Sequence, residues 1–212
     1  MTTRSTAAAG AAERALEHRR AKLESEGERL MDAALVVMRE RGTVDPTVAD
    51  ILREAGLSTA AFYRLFPTKD ALLLALLERA GATTRSYLAH RLGRVPDPVA
   101  RVEAWVRGMF DLIRTRELLE RNRPFLLAHP RLVERFPAPI AAMTDELVEP
   151  LAGAIADART ARGADVGDAR GDARLTHHLV HGVLIDRAAQ RRVRDRAEVD
   201  AVVAYVVRAV VG

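Results

Sequence analysis

Residues 47–72 read TVADILREAGLSTAAFYRLFPTKDAL, and the organisation of the chain follows from this stretch. Its first nine residues place Val48, Ile51, Leu52 and Ala55 at i, i+3, i+4 and i+7, the spacing of one apolar helix face. Thr47 stands ahead of that face, able to cap the free N–H groups of the first turn. Asp50 follows three residues later, in a weaker relative of the capping box. Gly56 comes next, where a tight turn can require positive φ. Leu57 and Ser58 open a second short helix, STAAFYRLF, which Pro67 ends. Ile51, Ala55, Leu57 and Phe62 fill the wedge of this two-helix corner, so Thr59, Ala60, Tyr63 and Arg64 face outward.

Outward from the corner, the pattern stays helical. Upstream, Leu30, Ala33, Ala34, Val37 and Met38 make one apolar face over residues 28–41, closed by Gly42. Downstream, Thr68 caps a longer helix reaching Leu92, with a stripe of Leu72, Leu73, Leu76, Leu77 and Ala80. After a break at Pro96 and Pro98, residues 99–116 form a helix bearing Val102, Trp105, Val106, Met109, Phe110 and Ile113. Pro124, Pro130, Pro137 and Pro139 then separate short helical pieces. Helices are expected over 140–160, 173–191 and 197–210, with a Gly/Asp-rich loop between the first two. No alternating strand pattern bounded by hairpin turns is present, and the fold class is all-α. Residues 1–22 are an Ala/Arg/Glu segment with five basic and two acidic residues, read as a flexible arm. Its alternative reading is a basic arm touching DNA.

Composition narrows the function classes. The chain has 212 residues and no cysteine, which removes thiol catalysis, disulfides and cysteine-based zinc sites. The net charge of +4 carries little weight. Residues 1–80 hold 12 basic and 12 acidic side chains, and the surplus lies in residues 81–212, with 21 against 17. Lys22 and Lys69 are the only lysines. No run is apolar enough to span a membrane and no signal segment is evident, so a cytoplasmic location is expected. No phosphate loop, nucleophile elbow or paired-carboxylate site is legible, and the chain is not expected to be an enzyme or to carry a cofactor.

With Thr47, Ile51, Ala55-Gly56, Leu57-Ser58, Tyr63, Phe66, Lys69-Asp70 and Leu72 at these spacings, the segment resembles the TetR family of bacterial transcriptional regulators. The resemblance covers about residues 30–77. It implies an N-terminal three-helix bundle with a helix-turn-helix in residues 23–70, and a helical ligand-binding and dimerisation domain in residues 71–212. It implies that Thr47, Ser58, Thr59, Tyr63 and Lys69 meet phosphates of a DNA operator, and that Thr59, Ala60, Ala61 and Arg64 meet base edges. Phe66 is read as a core aromatic. Leu52, Ala60, Leu65 and Thr59 depart from the residues common in the family, and Leu52 is expected to open the two-helix packing slightly.

The family's habit implies a homodimer built on the last two helices. The residues add support, because the valine face of the final helix is broader than a monomer surface would tolerate. Trp105, Met109, Phe110, Phe125, His129, Phe136 and Met143 are candidates to line a pocket for a small-molecule effector, with plain core as their other reading. Arg123 or His129 at its edge would suit a lipophilic or acyl-type molecule. His177 and His181 share a helix face at a spacing able to bind a metal, but no partner ligand is identifiable, and polar core or interface histidines are the preferred reading. Asp165, Asp168 and Asp172 lack calcium-loop spacing and are read as a solvated loop. The expected function is a ligand-responsive repressor binding a palindromic operator as a dimer. The alternative is an architectural or adaptor DNA-binding protein without a small-molecule switch.

Overall fold

A computed structural model describes residues 3–212, with the side chains of Glu13 and of every residue from Leu16 onward. Among these residues the chain is all-α, with nine helices and no strand. It divides into two compact units. One holds the chain through Arg41 together with Asp45–Leu76; the other holds Gly42–Val44 and Leu77–Gly212.

The first unit comprises α1 (Thr3–Arg41), α2 (Val48–Ala55), α3 (Thr59–Leu65) and the opening of α4 (Lys69–Leu92). Helix α1 begins far ahead of the expected start at Glu28. The segment read as a flexible arm is helical from Thr3, as its content of strong helix formers (Ala, Arg, Glu) allows; Met1 and Thr2 lie outside the described residues. The apolar face of α1 behaves as its spacing requires: Leu30 and Ala34 are fully buried, and Ala33, Val37 and Met38 nearly so. Ile51, Phe62, Leu72 and Leu76 of the same unit are buried as well. Leu52 and Leu57 are half-buried, so the bulk of Leu52 sits at the edge of the corner.

The second unit continues α4 and adds α5 (Pro98–Phe110), a 3-10 turn (Asp111–Ile113), α6 (Arg116–Arg135), α7 (Pro137–Ala161), α8 (Ala169–Ala189) and α9 (Arg196–Val211). Asp97 caps α5 by accepting the Ala100 N–H at 2.7 Å, and Thr115 caps α6 through the Leu118 N–H at 3.2 Å. The expected helix over 99–116 therefore stops at Phe110, and the chain turns before restarting.

The prolines correct the sequence reading most clearly. Pro124 and Pro130 lie inside one continuous helix, α6, instead of dividing it. Each removes one backbone hydrogen bond, at a cost of about 3 kcal/mol in an isolated helix. Here Pro124 is buried, and α6 is tied down just ahead of it. Asn122 donates to the Leu112 carbonyl at 2.7 Å and Arg123 to the Ala188 carbonyl at 2.9 Å. Pro137 and Pro139 sit in the first turn of α7, where a missing N–H costs nothing.

Trp105, Val106, Phe110, Leu119, Val148, Leu151, Ile155, Val180 and Leu184 form the fully buried centre of this unit. The Trp105 indole N–H donates to the Leu147 carbonyl at 3.1 Å, so the largest core side chain leaves no orphan donor. Val199, Val203, Val206 and Val210 of α9 are buried in the same core. No helix among the described residues is long and apolar enough to cross a membrane.

Candidate nucleic-acid interface

The corner between α2 and α3 is built from local caps and two long-range braces. Thr47 is the N-cap of α2; its hydroxyl oxygen accepts the Asp50 N–H at 3.2 Å and its O–H donates to Asp50 Oδ2 at 2.5 Å. Asp50 is buried, and Arg41 and Arg53 each place a guanidinium nitrogen 2.6 Å from its Oδ1. The Thr47 hydrogen bond, then Arg53 and Arg41, hold the Asp50 carboxyl below the ordinary carboxylate range. At the other end, Gly56 adopts φ 62° and ψ 37°, and its N–H donates to the Leu52 carbonyl. Arg29 of α1 reaches the Ala55 carbonyl at 2.7 Å, fixing the end of α2 to the first helix. Ser58 then caps α3, accepting the Ala61 N–H at 3.2 Å.

The outer face of α3 presents Thr59, Ala60, Tyr63 and Arg64, all exposed. Tyr63 is 54% exposed and stands edge-on to the buried Phe62 ring at 5.2 Å, leaving its hydroxyl outward. Ala61 does not belong to this face. It is 5% exposed and packs inward beside Phe62, so it has no route to a base edge. Phe66 is half-buried, with its ring 6.1 Å from that of Phe62. Lys69, the first residue of α4, pairs with Asp45 at 2.5 Å. Arg64 pairs with Glu26 of α1, 38 positions away, a contact that sequence spacing gave no sign of. Thr47 and Ser58 are exposed although each hydroxyl is engaged in its cap. This arrangement offers hydroxyl, phenol and guanidinium groups on one short ridge, a form suited to a phosphate-lined groove.

In the second unit, the candidate pocket residues fall into two groups. Trp105, Met109 and Phe110 are closed in the packed core, and Phe136 is 9% exposed. Phe125, His129 and Met143 are half-buried. His129 of α6 faces His181 of α8 with ring centroids 4.2 Å apart, and His177 stacks on His181 at 5.5 Å and meets Trp105 at 6.3 Å. Burial first, then the neighbouring imidazoles, push His177 down to about 4 and His181 to about 3; His129 is lowered for the same reasons. These rings are neutral at physiological pH. The His177 Nδ1 atom is buried without a hydrogen-bond partner among the described residues. Among the described residues no group of three or more His, Asp or Glu is arranged to hold a metal ion. Of the three loop aspartates, Asp165 accepts the Gly167 N–H, Asp168 caps α8 through Gly171, and Asp172 lies within α8 and pairs with Arg159 at 2.5 Å.

The valine stripe of α9 is taken up by the core of its own unit, so the expectation that it forms an exposed face needs correction. On α8 and α9 the exposed large apolar side chains are Leu175 (68% exposed) and Leu179 (38%) of α8 and Tyr205 (57%) of α9. Leu179, Glu198, Ala201, Val202 and Tyr205 border a shallow concavity of about 270 Å³ between these two helices.

Residues 30–76 match the bacterial regulatory proteins of the tetR family. The chain is 38% identical over 84 residues to the HTH-type transcriptional regulator BetI of Klebsiella pneumoniae (strain 342), covering 39% of this chain and 43% of that protein. BetI of Brucella anthropi is 37% identical over 81 residues, covering 38% and 42%. The chain thus spans less than half the length of the curated relatives it matches. Among solved structures, a putative TetR-family transcriptional regulator from Rhodococcus sp. superposes with a TM-score of 0.73 at 20% identity, over 89% of this chain and 100% of that one. The transcriptional regulator FadR from Bacillus subtilis, in complex with stearoyl-CoA, gives 0.71 at 14% identity, over 85% and 97%. At these identities the structural likeness is one of fold. The capped α2–Gly56–α3 corner lies inside the segment that matches the tetR family of bacterial regulatory proteins, and the all-α architecture is similar in fold to TetR-family regulators.

Proposed function

We propose that the chain is a ligand-responsive transcriptional repressor that binds a palindromic DNA operator as a homodimer. The observation that carries this reading is the outer face of α3, where Thr59, Ala60, Tyr63 and Arg64 project from a corner braced at both ends. Tyr63, Thr47, Ser58 and Lys69 serve the phosphates and Arg64 a guanine edge. The apolar surface of Leu175, Leu179 and Tyr205 supports a dimer through α8 and α9. Twofold symmetry would then set two recognition helices roughly 34–36 Å apart, one turn of DNA. Such a partner supports a cytoplasmic location. A duplex enriched from a random library by the full chain should prove palindromic and bind a dimer. Equal affinity for scrambled duplexes at physiological salt would refute the reading.

The effector is taken by residues 71–212. The FadR structure holds stearoyl-CoA, which supports an acyl-type effector here as well. Coupling of about 1–3 kcal/mol between the two sites would change operator affinity roughly 5–150-fold. A second reading, an adaptor of the same fold without a small-molecule switch, is favoured by one observation: Trp105, Met109 and Phe110 are fully packed. Titrating acyl-CoA thioesters of graded chain length into the operator complex separates the two. Release of DNA supports the switch; operator affinity unchanged at every chain length supports the adaptor.

A further inference from the structure

We propose that the amino-terminal extension of α1 is a second DNA-binding surface, on which Arg19 and Lys22 take phosphates flanking the site met by α3. The proposal rests on the DNA-binding reading above. Its anchor is the ion pair between Glu26 and Arg64. Arg64 lies on the outer face of α3, and the Glu26 side chain, only 13% exposed, meets it from α1. That pairing defines which side of α1 looks along the outer face of α3.

Helix geometry then places the residues ahead of Glu26. At about 100° and 1.5 Å per residue, Lys22 stands roughly 6 Å further along the axis and about 40° from the direction of Glu26. Arg19 stands roughly 10.5 Å along and about 20° away. Glu24 and Glu17 lie at about 160° and 180°, on the opposite side. Arg20, about 120° away, is turned into a pair with Glu24 at 2.9 Å. The charges on this stretch are therefore sorted: cations continue the side that holds Arg64, and acids face away from it.

The cations on that side are also uncommitted. Residues 16–22 are all exposed, and neither Arg19 nor Lys22 makes an ion pair or hydrogen bond among the described residues. Glu26 does not repel a polyanion here, because its charge is matched by Arg64 and its side chain is largely covered. Residues 16–22 bury no side chain within their own unit, so this stretch of helix is free to meet a partner. A rod of cations in line with Arg64 complements the phosphate backbone next to the major groove that α3 enters.

The test uses the full chain and the duplex it enriches from a random library, in two lengths. One is roughly 20 base pairs, the span of two half-sites one turn apart, and the other carries about ten more on each side. Wild type should bind the longer duplex more tightly and with a steeper salt dependence. The double substitution Arg19→Gln/Lys22→Gln should lower affinity for the longer duplex about tenfold and reduce the log–log salt slope by about 0.9 for each phosphate no longer neutralised. It should leave the shorter duplex unchanged. The charge-keeping pair Arg19→Lys/Lys22→Arg should retain the length difference. Equal affinities for the two lengths, or the same loss on both, overturn the surface while leaving the operator reading in place. Failure of wild type to bind any duplex overturns both.

Discussion

Acidification should destabilise this protein through its buried histidines. His177 and His181 have ordinary values of 6.5 and are lowered in the folded chain to about 4 and about 3. The groups that face them are each other, His129 from α6, His178 on their own helix and Trp105 from α5. Between these two sets of values the unfolded chain binds protons that the folded chain refuses. Stability is therefore complete above pH 6.5 and is lost as pH falls through 6.5 towards 4. A pH of 5 is about 1.5 units below the unfolded value and still above both folded values, so each ring costs about 2 kcal/mol there, and the two together about 4 kcal/mol. Trp105 is the only tryptophan of the chain, is fully buried and meets the His177 ring edge-on, so its fluorescence reports on the core in question. Urea unfolding followed by Trp105 emission at pH 7.5 and pH 5 measures the loss directly. The double substitution His177→Gln/His181→Gln should flatten the dependence. A wild-type loss below about 1 kcal/mol, or an equal loss in the double variant, would show that the neutral rings are not what acid attacks.

Other outcomes follow from the interface and the helix ends. Gly56→Ala should destabilise the first unit by about 1–2 kcal/mol, read by thermal unfolding. An added Cβ would find Arg29 Nη2 no nearer than 3.7 Å, so the cost comes from the φ of 62° and not from a clash. Tyr63→Phe should weaken binding to selected and scrambled duplexes alike, whereas Arg64→Ala should relax preference at one position of the selected site, both read by anisotropy titration. Leu175→Glu with Leu179→Glu should yield a monomer in sedimentation without lowering the unfolding midpoint, because both side chains are exposed in the protomer.

What could be read from residues 47–72 was everything that local spacing controls. A hydroxyl at Thr47 or Ser58 ahead of an apolar period is a cap, and Gly56 between two such periods is a left-handed turn; the structure has all three. The burial of Leu30, Ala34, Ile51 and Phe62 follows from periods of three and four residues in the same way. These features depend on atoms within one or two turns of one another, so the chain carries them wherever it goes. The all-α class and the family resemblance rest on that level.

Tertiary structure decided which surface remains available, because that depends on elements distant in sequence. Ala60 and Ala61 are chemically alike, yet one turn step of about 100° exposes the first and buries the second. The spacing around Arg64 gives no sign of the ion pair that Glu26 of α1 supplies, and the end of α2 is held by Arg29 from the same helix. Pro124 and Pro130 should break a helix by their own geometry, but α6 runs on through both, with Pro124 buried and the bonds of Asn122 and Arg123 tying the helix down just ahead of it. The valines of α9 look like an interface in one dimension and are core in three. In each case the local pattern set a side chain's direction, and packing between remote segments determined what that side chain met.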